Sequence, residues 1–154
     1  MSLWLALPFL AQGSAMLVDE FYFHRKRGLT RWERVGHPLD TLTTLFALGW
    51  VMIRPYSAEA TRVYIALCVF SCLFITKDEF VHAKACEPGE HWLHSLLFVL
   101  HSVVFVCVYF IWQDLTFSNR LILGAPVAAV GIFFVFQIFY WNFSWKPTPT
   151  PVLD

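Results

Sequence analysis

Five of the six histidines and eight of the eleven carboxylates of this chain fall in two short stretches, residues 19–40 and 78–94. The first carries Asp19, Glu20, His24, Glu33, His37 and Asp40; the second carries Asp78, Glu79, His82, Glu87, Glu90, His91 and His94. Imidazole mixed with carboxylate is a ligand set for iron, manganese or zinc. No Cys-x-x-Cys pair is present, so a thiolate zinc or iron–sulfur site has no support.

Spacing sharpens the expectation. Glu33, His37 and Asp40 stand at i, i+4 and i+7, which is one face of a helix. Glu87, His91 and His94 repeat that spacing at a constant offset of 54 residues, and Leu39 and Leu42 reach Leu93 and Leu96 by the same offset. Glu20 and His24 are one helical turn apart, as are Asp78 and His82, and Glu79 precedes His82 by three. Neighbours on a helix point about 100° apart, so one of Asp19 and Glu20, and one of Asp78 and Glu79, is expected to orient a histidine through its other nitrogen. The sequence therefore predicts four helical segments, in two parallel hairpin repeats, aiming ligands at one point. The expected set is Glu20, His24, Glu33, His37, Asp40, Asp78, Glu79, His82, Glu87, His91 and His94. That is too many ligands for one ion and implies two, iron first, with zinc or manganese as alternatives.

Several of these residues also have ordinary structural readings. Thr30-x-x-Glu33 is a capping box, and acids at Glu87 and Glu90 suit a helix start at Pro88. Cys86 is a weak extra ligand. His101 lies seven residues beyond His94, about 10 Å deeper along the same face. It reads as a buried histidine bonded to a neighbouring helix, with Gln137 as one possible partner, or as a cavity or proton-path group.

The elements that must position these groups are membrane helices. Hydrophobic residues make up 58% of the 154-residue chain and charged ones 14%, far below the charge of a water-soluble domain; mean hydropathy is +0.58. Five apolar stretches run over residues 3–18, 39–53, 58–75, 93–112 and 121–141. The first two reach spanning length only by continuing into the polar flanks that carry the ligands. The first lacks a positive flank ahead of it and reads as a membrane helix, not a signal peptide. Arg54-Pro55 ends the second helix, Ser57 starts the third, Pro88 the fourth, and Asn119 caps the fifth. The division is residues 1–54 and 55–115 as two helical hairpins, 116–145 as a fifth transmembrane helix, and 146–154 as an extended tail containing Pro147, Pro149 and Pro151. Trp141 and Trp145 read as anchors at the membrane interface.

Eight of the eleven basic residues fall on the side that holds the ligands. By the positive-inside rule that side is cytoplasmic, with the N-terminus outside and the C-terminus inside. Net charge is zero, which gives a nucleic-acid partner no support. The ligand logic is similar to that of ferritin-like di-iron bundles, in which Glu-x-x-His motifs join glutamates from other helices; Glu79-Phe80-Val81-His82 has that form. The chain is thus expected to be an all-α integral membrane protein. Its expected function is a di-iron oxidase or oxygenase of a lipid-like, apolar substrate, served by an electron donor. A zinc hydrolase of a lipid-like substrate and a non-enzymatic metal-binding, sensing or transport protein are the alternatives.

Overall fold

The computed structural model describes residues 3–114 and 117–146, and among them there is no strand. Five helical rods account for nearly all of this length. The first is α1, Leu7–Val18, preceded by a 3-10 turn. It runs without a break into a π-helical stretch, Asp19–His24, and a last turn, Arg25–Arg27. Gly28 stops it at φ 79°, a left-handed conformation that glycine adopts without steric cost.

The second rod, α2, is Arg31–Ile53. Thr30 caps it by accepting from the Glu33 amide at 3.3 Å, while Glu33 Oε2 accepts from the Thr30 amide at 2.8 Å. The backbone turns extended at Arg54, ahead of Pro55, because a proline disfavours helix in the residue before it. Ser57 then caps α3, Ala58–Phe74, accepting from the Ala60 amide at 3.2 Å. A 3-10 turn, Ile75–Asp78, leads into α4, Glu79–Ala85. Pro88 opens α5, Pro88–Gln113, as its type and position predict. The last rod, α6, is Phe117–Phe139 and ends in a second π-helical stretch, Tyr140–Ser144. Because α6 begins at Phe117, Asn119 stands inside its first turn and not ahead of it. The expected tail prolines lie outside the described residues.

Among the described residues, three helices are long and apolar enough to cross a membrane: Ala58–Lys84, Pro88–Gln113 and Leu123–Ser144. The other two expected spans fall short. In α1 only twelve residues precede the acidic π stretch, and α2 carries Glu33, His37 and Asp40 in its first half. Only 11% of the apolar window of the last helix is buried inside the protein, and large side chains such as Trp4, Leu73 and Ile132 are mostly exposed. An apolar outer surface of this extent suits lipid as the surrounding medium.

Packing places α1 against α5, α2 between α3 and α6, and α3 against α5. One half of the bundle has an apolar core built on Leu48, Val51, Tyr64, Phe105, Val108 and Trp112. Its buried donors are spent on helix carbonyls: Tyr64 Oη donates to Phe105 O at 2.7 Å, and Trp112 Nε1 to Arg54 O at 2.9 Å. The opposite half, beside Arg25–Arg34 and Lys77, holds the histidines and acids. A Cβ at Gly28 would come within 2.7 Å of the Trp145 ring. Gly28→Ala should therefore cost about 2 kcal/mol and lower the melting temperature in detergent. Gly49→Ala, where a Cβ meets nothing within 4 Å, should leave stability unchanged or slightly raised.

Candidate metal centre

Four histidines from four segments meet in the polar half: His24 from the π stretch, His37 from α2, His82 from α4 and His94 from α5. His24 stacks on His37 with ring centroids 4.9 Å apart, and His82 lies against His94 at 3.9 Å. Their donor atoms sort into two clusters. In the first, Asp19 Oδ1 lies 2.9 Å from His94 Nε2, and Asp19 Oδ2 lies 3.2 Å from His24 Nε2. The same His24 Nε2 lies 3.7 Å from Glu90 Oε1. In the second, His82 Nε2 lies 3.5 Å from Glu33 Oε1, and His37 Nδ1 lies 3.5 Å from Asp78 Oδ2. Donors bound to one ion at about 2.1 Å stand roughly 3–4 Å apart, so both clusters have the dimensions of a metal site.

The donor atoms of Asp19, His24, Glu90 and His94 all lie within 4.8 Å of one another, and so do those of Glu33, His37 and His82. Two further overlapping groups reach the same closeness: His37 with Asp40 and Asp78, and His82 and His94 with Cys86. His82 Nδ1 and His94 Nδ1, 2.6 Å apart, join the two main clusters. Both ring nitrogens of His24, Nε2 of His37 and Nε2 of His82 are buried without a hydrogen bond among the described residues. A buried polar atom left so costs about 1–3 kcal/mol, and four around one centre point to a ligand that these nitrogens are arranged to meet.

No family model, curated protein or solved structure matches this chain. What the cluster does must be read from its own chemistry.

Two cations hold the acids together. Arg27 Nη2 donates to Glu33 Oε1 and to Glu90 Oε1, each at 2.8 Å. Burial works against the charge on Arg27, but its bonds to Glu33 and Glu90 outweigh that and raise its pKa above the ordinary guanidinium value. Lys77 Nζ lies 2.6 Å from Asp40 and 3.1 Å from Asp78. Two indoles assist: Trp32 Nε1 donates to Asp78 at 3.1 Å, and Trp141 Nε1 donates to Glu20. Gly36 gives Asp78 room, since a Cβ there would stand 3.0 Å from Asp78 Oδ1.

Most of the expected ligands gather here. His24, Glu33, His37, Asp78, His82 and His94 stand in the two clusters. Asp40 joins at the rim through Lys77, and Glu20 flanks the cluster with its carboxylate 3.6 Å from His24 Nδ1. Glu79, Glu87 and His91 are not brought in. Glu79 and His91 pair with each other at 2.5 Å on the outside of the bundle, both side chains about 40% exposed. Glu87 pairs with Lys26 at 2.9 Å, also exposed. The geometry explains why. Glu87 precedes the first helical residue of α5 and has extended backbone, so its side chain is not set by the helix face. His91 is one residue, about 100°, round from Glu90.

Besides Trp32, five contributors were not in the expected set. Glu90 was legible, since Glu90–His94 has the same i, i+4 spacing as Glu33–His37. Asp19 was not: it sits five residues before His24, and only the π turn, with its i to i+5 bonding, puts that pair on one face. Arg27 and Lys77 were counted only as topology markers. Trp141 was expected at the membrane interface, yet it is 1% exposed and bonded to Glu20.

Removing Arg27 would leave two carboxylates buried against each other. Arg27→Met should cost about 3 kcal/mol and lower the melting temperature markedly. Lys26→Gln, breaking only the exposed pair with Glu87, should leave it unchanged.

Proposed function

We propose that this chain binds two divalent metal ions, one in each cluster, and uses them as iron to oxidise an apolar substrate within the membrane. The observation that carries this reading is the equivalence of the two clusters. One holds Asp19, His24, Glu90 and His94; the other holds Glu33, His37 and His82, with Asp78 beside it, 3.5 Å from His37 Nδ1. The members correspond in chain order at a separation of 57 to 59 residues. Each cluster takes its Asp and first His from one half of the chain, and its Glu and second His from the other. Two equivalent contacts agree, 3.7 Å for His24–Glu90 against 3.5 Å for His82–Glu33 and 6.0 Å between the His24 and His94 rings against 5.8 Å between those of His37 and His82; the aspartates differ, Asp19 lying 2.9 Å from His94 and 3.2 Å from His24, and Asp78 3.5 Å from His37. The proposed repeat thus runs in a register near 57, not 54.

Charge favours bound cations. Six carboxylates, Asp19, Glu20, Glu33, Asp40, Asp78 and Glu90, face two bridging cations, Arg27 and Lys77, so acids outnumber bases at the site. Histidine pairs with carboxylates are the donor set of non-haem iron centres, which supply oxygen activation. Around it this chain's residues would bind and orient: Arg27 spanning Glu33 and Glu90, Lys77 spanning Asp40 and Asp78, and Trp141 fixing Glu20. A cavity of about 240 Å³ begins at Asp19, His24 and His37 and continues between Leu97 and Phe133, an apolar path from the bundle interior to the cluster. By its Lys and Arg distribution we place the site at the cytoplasmic side of a membrane, where a soluble electron donor could reach it.

Metal analysis of the purified full-length protein is the test. The expected result is two iron atoms per chain, with an optical spectrum that changes on reduction. His37→Ala and His94→Ala should each lose at least one ion, while His91→Ala and Glu87→Gln should keep both. Chelation should lower the melting temperature, because folding and metal binding are coupled where ligands are buried. Two zinc atoms in place of iron would turn the chemistry to hydrolysis. A folded protein that takes up neither iron nor zinc would overturn the reading.

A further inference from the structure

Two rungs join the first rod to α5. One is Asp19–His94, in the metal centre; the other is Gln12–His101, seven residues deeper on both helices and so about 10 Å away. The deeper rung lines the same cavity as the metal centre. Its hydrogen bonds have a fixed direction. The Thr43 hydroxyl donates to the Asp40 carbonyl at 2.8 Å, so toward Ser71 Oγ, 2.8 Å away, it can only accept. Ser71 spends its single hydrogen on Thr43 and must accept from His101 Nε2, at 2.9 Å. A neutral His101 then has no proton on Nδ1, which accepts from the Gln12 amide nitrogen at 3.3 Å. That leaves Gln12 Oε1 as the free end of the chain. It is buried and has no hydrogen-bond partner among the described residues, an arrangement that costs about 1–3 kcal/mol unless a ligand supplies a donor.

The cavity around this acceptor is narrow and long. It runs from His37 to Leu48 along α2 and from Gln137 to Pro126 along α6, eleven residues or roughly 16 Å on each, within its 240 Å³. Phe9, Leu48 and Val104 line it around the deep end, beyond Gln12. Beside Gln12, a Cβ on Gly13 would meet nothing within 4 Å, so open space borders the helix there.

We propose that this cavity binds a straight alkyl chain bearing a hydroxyl group, with the hydroxyl donating to Gln12 Oε1 and the chain running up to the metal centre. A bound chain would present to the metals a carbon about 10 Å from its hydroxyl. The oxidation of that carbon rests on the two-metal reading; the binding does not.

The test is photolabelling of the full-length protein in lipid nanodiscs. The probes are a twelve-carbon primary alcohol with a mid-chain diazirine and the matching diazirine alkane without the hydroxyl. The expected result is labelling of α5 and α6 peptides that border the cavity, half-maximal for the alcohol at about tenfold lower concentration than for the alkane. Gln12→Leu should abolish that difference and leave metal content unchanged. Gly13→Leu, whose Cβ would meet nothing within 4 Å, should extend a side chain into the cavity and abolish labelling by both probes, with the melting temperature read beside it as the check on folding. Equal labelling by alcohol and alkane in the wild-type protein would overturn the hydroxyl assignment, and undiminished labelling in Gly13→Leu would overturn the cavity itself. Metal analysis of the same samples separates this outcome from the fate of the two-metal reading. A chain that prefers the alcohol but holds no metal would sustain the binding site alone.

Discussion

Six carboxylates gathered around four imidazoles repel one another, and in a bundle with an apolar exterior little water is at hand to screen them. The structure contains that repulsion in layers. Arg27 spans Glu33 and Glu90, and Lys77 spans Asp40 and Asp78. Indoles from Trp32 and Trp141 neutralise a lone pair each without adding charge. Even the local folding serves this end. The left-handed turn at Gly28 ends the first rod directly after Arg27, and the capping box of α2 fixes Glu33 within that guanidinium's reach.

This dependence explains why Glu33 has two plausible readings in the sequence and why both describe it. The residue that caps α2 is the same residue that meets Arg27 and lies 3.5 Å from His82. A helix cap must be held rigidly at a known place, and a ligand or counter-charge needs the same rigidity. A structural role therefore gives no ground for discounting a chemical one.

Much of the architecture was legible. Helix starts at Thr30, Ser57 and Pro88 and the stop at Arg54-Pro55 follow from local chemistry, which is insensitive to tertiary context. The convergence of His24, His37, His82 and His94 was readable from the recurrence of acid and imidazole at helical spacing. The register was harder. An offset of 54 selects Glu87 and His91, whereas the acid and imidazole that α5 buries are Glu90 and His94. With α5 starting at Pro88, Glu87 stands ahead of the helix and Glu90 within it, one turn before His94. Trp141 illustrates a second limit. An aromatic at the end of an apolar helix suits the membrane interface by composition, and nothing local says that a buried carboxylate awaits it.

The π-helical stretch at Asp19–His24 carries one more residue between acid and imidazole than its counterpart at Asp78–His82, where a 3-10 turn ends at Asp78 and α4 carries His82. The two acids therefore reach their histidines by different windings. Asp19 depends on the π turn to face both His24 and His94, whereas Asp78 is fixed by its neighbours, wedged against Gly36 and bonded to Trp32. Plain α-helical winding over residues 19–24 would turn Asp19 away from His24 and leave Asp78 where it is.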